Sequence, residues 1–382
     1  MNRFCFSLVS CLFVVMSGAL CAAEDSAQGA AREKAQDQTL KNRFAPLFDV
    51  GTAVSPFQLE GLNAEFVARH FNSLTPENCM KPEALYRPDG NYHFAPADAI
   101  VRFAKANGMK VRGHTLVWHS QTPRKFFVDH EGTPLDKDAL YARMEEYISK
   151  VMNHFRGDVY CWDVVNEALS DEGDEIYRTR SPWFEVCGKD FIAHAFRVAH
   201  KVDPNVKLFY NDYNLISPAK REKAVRMLRE LLASGVPVAG VGMQAHWDME
   251  TFDPLELQKS IDAFVELGLE VQITELDLTI YPPYHGAQDA ARSGSAPRKD
   301  YTPEIEERHA EKYAQVFEVL CRNADHITSV TFWGITDRYS WLNMYPCPGR
   351  TDHPLLFDRE NRPKEAFHRV MEAKESSIQT EE

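Results

Sequence analysis

Beyond its first two dozen residues the chain has no uninterrupted apolar run of the ~18 to 20 residues that a membrane span requires, so no later segment is expected to cross a bilayer. Positive charge is also scarce: 43 Lys and Arg stand against 56 Asp and Glu, a net charge of -13. With no basic cluster to neutralise a row of phosphates, nucleic acid is not expected as a partner. HExxH and CxxC spacings do not occur, and His114 and His119 in GHTLVWH fall on opposite faces of an extended chain, so no metal site is expected. A GxSxG nucleophile turn is missing, and GTAVSPFQLEG, after the first strand candidate, does not fit the glycine-rich dinucleotide pattern. No cofactor is expected.

The leading residues, MNRFCFSLVSCLFVVMSGALCAAEDS, place Arg3 before an apolar stretch from Phe4 to Leu20 and then small residues, the layout of a secretory signal over 1–23. Cleavage after Ala23 is the expectation; LVSC at 8–11 has the look of a lipoprotein acceptor site, although few apolar residues precede it. The mature protein is expected outside the cytoplasm, in the periplasm or the medium. Cys79, Cys161, Cys187, Cys321 and Cys347 then remain, an odd number that cannot all pair. Cys161 and Cys79 read as buried free thiols, and Cys321 with Cys347 is the pair to test for a disulfide.

What is present is a long alternation. A polar lead-in over 24–40, in which no core is expected to start, gives way to short β-rich runs separated by segments of helical period. The strand candidates are FDVGTAV, HFNSLT, KVRGHTLVW, VYCWDVVNE, KLFYNDYN, GVGMQAHW, EVQITELDL and ITSVTFWGI. Eight alternations without a break favour an α/β fold of one kind, a single closed (β/α)8 TIM barrel over 41–372, rather than an open doubly wound sheet. A long loop over 281–301 is expected above the C-terminal face, and 373–382 read as a tail.

Active sites of such barrels lie at the C-terminal ends of the strands. There the sequence collects Glu77 and Asn78, His114 and Trp118, Asn166 and Glu167, Asn211 to Asn214, Gln244 and His246, Glu275 and Asp277, and Trp333. Side chains two apart on a strand share a face, so Glu275 points with Asp277 and Gln244 with His246. His246, on the neighbouring strand, can then bridge the two carboxylates and keep Glu275 ionised. Taken alone, His246 is as readily a satisfied core histidine. Asn166 and Glu167 are adjacent and serve one site only if the rim is bulged there. A pair of glutamates is the working equipment of a glycosidase, and tryptophans and asparagines suit a ligand with apolar ring faces and rows of hydroxyls.

The motifs FNSLTPENCMKPEAL, RGHTLVWHSQTP, WDVVNEAL, LFYNDYN, GVGMQAHW, ITELDL and TFWGITDRYSWL, in that order, resemble glycoside hydrolase family 10 endo-1,4-β-xylanases over roughly residues 40–370. The resemblance implies retaining hydrolysis of β-1,4-xylan, with Glu167 as general acid and then base and Glu275 as the nucleophile. Their carboxyls are then expected ~5 to 5.5 Å apart. It implies that Asn166 holds a sugar hydroxyl, that Gln244 lies near the reacting centre, and that Glu77, Asn78 and Lys81 bind the next sugar on the donor side. By the same resemblance His114, Trp118 and Gln121 continue that wall, Trp333 and Trp341 roof the donor sugars, and Tyr213 stands on the leaving-group side. His119 and Asn214 read as structural support. Pro82 stands where many members carry Trp, and the His114–Thr115 bond is expected in the cis form. Another β-1,4-glycanase, such as a cellulase or mannanase, is the nearest alternative; a non-catalytic polysaccharide-binding barrel or a metal-dependent deacetylase stands further off. A monomer acting on xylan is expected.

Overall fold

Runs rich in valine, isoleucine, phenylalanine and threonine suit strands buried on both faces, the condition of a parallel sheet wrapped in helices. The computed structural model describes residues 39–87, 89–282, 299–346 and 348–373. It has eight such strands: β1 (Asp49–Val54), β2 (Ser73–Pro76), β3 (Lys110–Gly113), β4 (Cys161–Asn166), β5 (Lys207–Asp212), β6 (Gly240–Met243), β7 (Glu270–Thr279) and β8 (Ile327–Phe332). Each pairs in parallel with the next, and β8 pairs with β1, closing the barrel. Short extensions at Val117–Trp118 and His246–Asp248 continue β3 and β6 after a break. All eight expected strands are therefore present in the expected order.

The helices between them start where the sequence signals a start. Asp136 accepts from the backbone N–H of Ala139 and Thr302 from that of Ile305, while proline opens the helices Pro218–Ala233, Pro254–Val265 and Pro303–Arg322. One boundary differs from expectation. Leu40, placed in the polar lead-in, begins the helix Leu40–Phe44 and is fully buried. Its partner Phe44 stacks on Phe48 and meets Phe317 at centroid distances of 5.2 and 5.0 Å, so the core starts here, at the N-terminal end of the barrel. Local hydrophilicity upstream hid a segment that is apolar only at its two inward positions.

Polar groups fill much of the barrel interior. Arg112 on β3 is fully buried and forms a bidentate ion pair with Asp163 on β4, while its Nε donates to Gln272 Oε1 on β7 at 2.8 Å. Glycines make the room: a Cβ on Gly113 would lie 2.3 Å from the Trp162 ring, and one on Gly242 would lie 2.2 Å from Asn211 Oδ1. Cys161 and Cys187 are buried free thiols; Cys79 is free but half-buried rather than buried, because it lies at the rim in PENCMK. The signal at 1–23, the lead-in up to residue 38, most of the loop at 281–301, Cys347 with the proposed disulfide, and the tail from 374 lie outside the described residues. Among the described residues no helix is long and apolar enough to cross a membrane.

Candidate active site

The C-terminal ends of β4 and β7 bring two carboxyls into one hydrogen-bonded network. The chain reaches Glu167 through an irregularity: the β4–β5 register shifts between Asp163 and Val165, and Glu167 itself has φ of +56°. Both features turn Asn166 and Glu167 to the same side, as a shared site requires. Its turn is held by a backbone bond from Glu167 N–H to the Asn211 carbonyl at 2.9 Å and by Arg178, whose Nε donates to the Glu167 carbonyl at 3.1 Å.

Glu167 is half-buried and receives three donors: Trp118 Nε1 on Oε2 at 2.8 Å, and Gln244 Nε2 and Asn166 Nδ2 on Oε1 at 3.0 and 3.1 Å. Burial, reinforced by the negative charge of Asp212, outweighs the bonds from Gln244 and Trp118 and raises its pKa above the ordinary glutamate value. Glu275 has the opposite environment. Burial by itself would raise it, but His114, His246 and Lys81 together outweigh burial and hold the carboxyl at about 2. His246 stands between Glu275 Oε2 at 3.2 Å and Asp277 Oδ1 at 3.0 Å. Burial opposes its charge, yet the two carboxylates raise it to about 10, so it is an imidazolium that donates both N–H groups at neutral pH.

The expectation that Gln244 and His246 share a strand face needs correction. The strand breaks between them, with Ala245 at φ of +66°. They arrive at the site by diverging, Gln244 toward Glu167 and His246 toward Glu275. Glu275 and Asp277 do share a face of β7, and Trp341 Nε1 donates to Asp277 Oδ2 at 2.8 Å, which fixes the far side of the Asp277–His246–Glu275 relay.

Around these groups stand the other residues that the sequence placed at this rim. Lys81 Nζ donates to Asn78 Oδ1 and Gln121 Oε1, both at 2.9 Å, and lies 5.0 and 6.0 Å from the ring centroids of Trp118 and Trp333. Burial lowers its pKa, while Glu275, Glu77 and Glu167 act to keep it charged. Ser55 Oγ donates to Glu77 Oε2 at 3.3 Å; burial raises the Glu77 carboxyl. His114 stands edge-on to Trp333 at 5.4 Å and 2.9 Å from Asp163 Oδ2, and its bond to Thr115 is cis. On the other side, Tyr213 donates to Asp171, accepts from Arg178 Nη2 at 2.8 Å, and carries the Lys220 ammonium 3.5 Å over its ring. His119 lines a small cavity behind Glu167; burial lowers its pKa to about 4.

The sequence gathered Asn211 at this rim without giving it a role, and did not single out Asp163, Arg178 or Asp171. Asn211 on β5 donates to Asn166 Oδ1 at 2.8 Å and Glu275 Oε1 at 2.9 Å, and Thr274 Oγ1 fixes its carbonyl at 2.7 Å. It joins the two halves of the site, although in KLFYNDYN it is one of several polar residues. Asp163 carries a signal of its own, an acid inside the apolar run CWDVV. Arg178 and Asp171 lie on a loop with no periodic signal. Among the described residues no group of three or more His, Cys, Asp and Glu side chains is arranged to hold a metal ion.

The family model described as Glycosyl hydrolase family 10 matches residues 39–373. A β-1,4-xylanase of Dictyoglomus thermophilum is 44% identical over 366 residues, covering 96% of this chain and 98% of its own. An endo-1,4-β-xylanase of Geobacillus stearothermophilus is 42% identical over 335 residues, 87% of this chain and 98% of its own. Among solved structures, xylanase XynB from Paenibacillus barcinonensis, in complex with a conduramine derivative, superposes with a TM-score of 0.82 at 38% identity, covering 88% of this chain and 98% of that one.

Proposed function

Because the chain belongs to glycosyl hydrolase family 10, we infer that it is an endo-1,4-β-xylanase that works by double displacement. Glu275 is assigned as the nucleophile: its carboxylate oxygen attacks the anomeric carbon of the donor xylose while Glu167 gives its proton to the departing glycosidic oxygen. Glu167, now a carboxylate, then takes a proton from water as that water attacks the same carbon and releases Glu275. The reaction needs two carboxyls and water, and no cofactor enters its balance.

The observation that carries the assignment is the chain Glu167–Asn166–Asn211–Glu275, which joins a carboxyl whose pKa is raised to one whose pKa is depressed. Environments that push two neighbouring acids apart in pKa divide the roles of acid and nucleophile. Substrate choice follows from the roof. Xylose lacks a hydroxymethyl group at C5, and the rings of Trp333, 6% exposed, and Trp341 both lie against His246, at centroid distances of 6.3 and 5.0 Å, which suits the narrower sugar as a roof beside Glu275. Hydrolysis of xylan, cellulose and mannan tests this: xylan is expected to be cleaved far faster, and a preference for either of the others refutes the substrate assignment. Normal xylan turnover by Glu275→Ala would show the nucleophile to be misassigned.

We also propose that the protein is exported. The apolar stretch from Phe4 to Leu20 behind Arg3 supports this, and N-terminal sequencing of the mature protein should begin at Glu24. A mature chain beginning at Met1 would contradict it.

A further inference from the structure

Phe57 occupies the turn Pro56–Gln58 immediately after β1, on the same rim as the catalytic groups, and is 64% exposed. The turn itself puts it in water. Ser55 N–H donates to Gln58 Oε1 at 2.6 Å, which folds Gln58 inward to 2% exposure and leaves its neighbour outside. An aromatic ring in that position buries little apolar area on folding, so its presence calls for another use.

Its surroundings connect it to the donor side from two directions. Through Ser55, two residues earlier, the turn touches Glu77. On the other flank the Phe57 ring lies 6.1 Å from that of Tyr339, at an interplanar angle of 60°. Tyr339 is half-buried and fixed by Asn63 Nδ2, which donates to its hydroxyl at 2.9 Å; two residues on is Trp341, bonded to Asp277. The pair therefore links the turn after β1, bonded to Glu77 through Ser55, to the segment that carries Trp341.

We propose that Phe57, flanked by Tyr339, is a stacking platform for the third xylose residue on the donor side, beyond the sugar at Glu275 and the one at Glu77, Asn78 and Lys81. This rests on the xylanase reading. The apolar face of a pyranose ring matches an exposed aromatic without demanding hydrogen bonds, so the platform adds reach along the polymer and tolerates a sugar whose hydroxyls carry substituents.

The test uses aryl β-xylobioside and aryl β-xylotrioside, whose aryl release reports two and three occupied donor positions. Phe57→Ala is expected to lower kcat/KM for the trioside about five- to tenfold, from the loss of a partly buried ring face, and to leave the bioside unchanged. The unchanged bioside rate also shows that the variant folds. Phe57→Trp is expected to retain the trioside preference. Equal losses on both substrates, or no loss on the trioside, would overturn the platform while leaving the xylanase reading intact. Failure of the unaltered enzyme to release aryl from either would refute the xylanase reading and the platform with it.

Discussion

At the scale of single residues, the site depends on two glutamates with opposite environments. On the proposed assignment, activity requires Glu275 ionised and Glu167 protonated, so rate should rise with pH through about 2 and fall as pH passes the raised pKa of Glu167. The descending limb is set partly by Asp212, whose charge disfavours ionisation of Glu167. Asp212→Asn should therefore shift that limb to lower pH, and a limb that stays or moves upward in a kcat/KM profile would remove Asp212 from the account. Glu167→Ala should cost about 10²- to 10⁴-fold on xylan, and much less in the first step on an aryl xyloside whose leaving group needs no proton. Stopped-flow detection of an aryl burst followed by slow turnover checks this, because the second step still lacks its base. Equal losses on both substrates would speak against an acid role.

At the scale of elements, the barrel positions these residues by local departures from regularity. Gly242 on β6 leaves the gap that Asn211 fills, and a methyl group there would lie 2.2 Å from the Asn211 amide. Gly242→Ala should destabilise the fold by about 1 to 3 kcal/mol and lower kcat, since Asn211 ties Asn166 to Glu275. Thermal unfolding with steady-state kinetics decides; an unaltered kcat would make the asparagine link dispensable. The same departures mark the limit of what sequence could reveal. Strand order, closure and both glutamates were legible, because buried parallel strands are apolar and their polar residues fall at one end. The adjacency of Asn166 and Glu167 called for an irregular rim, but the left-handed φ that supplies it, like the break at Ala245, was not legible, since neither residue type announces a positive φ. Periodicity thus brought Gln244 and His246 to the site for a reason the backbone does not follow. Asp163 carried a readable signal, an acid within CWDVV, whereas Arg178 and Asp171 come from a loop where only tertiary contact gives a residue meaning.

At the scale of the whole molecule, the buried charges of the site also tie stability to pH. The His246 pKa in the folded state, about 10, lies above its ordinary 6.5, so its stabilisation is complete below 6.5 and is lost as pH rises toward 10. Glu275 runs the other way: depressed to about 2 from 4.5, it contributes fully above 4.5 and loses that contribution as pH falls toward 2. The melting temperature should therefore decline on both sides, and His246→Asn should flatten the alkaline decline; an unchanged slope would place the titration elsewhere. The central claim, that two acids facing one cleft form and then hydrolyse a covalent sugar adduct, is tested most directly by the anomer first released. Xylopentaose digested in an NMR tube should give new reducing ends as the β anomer, with the α anomer growing in only by mutarotation. Initial release of the α anomer would mean a single inverting displacement and would contradict the account.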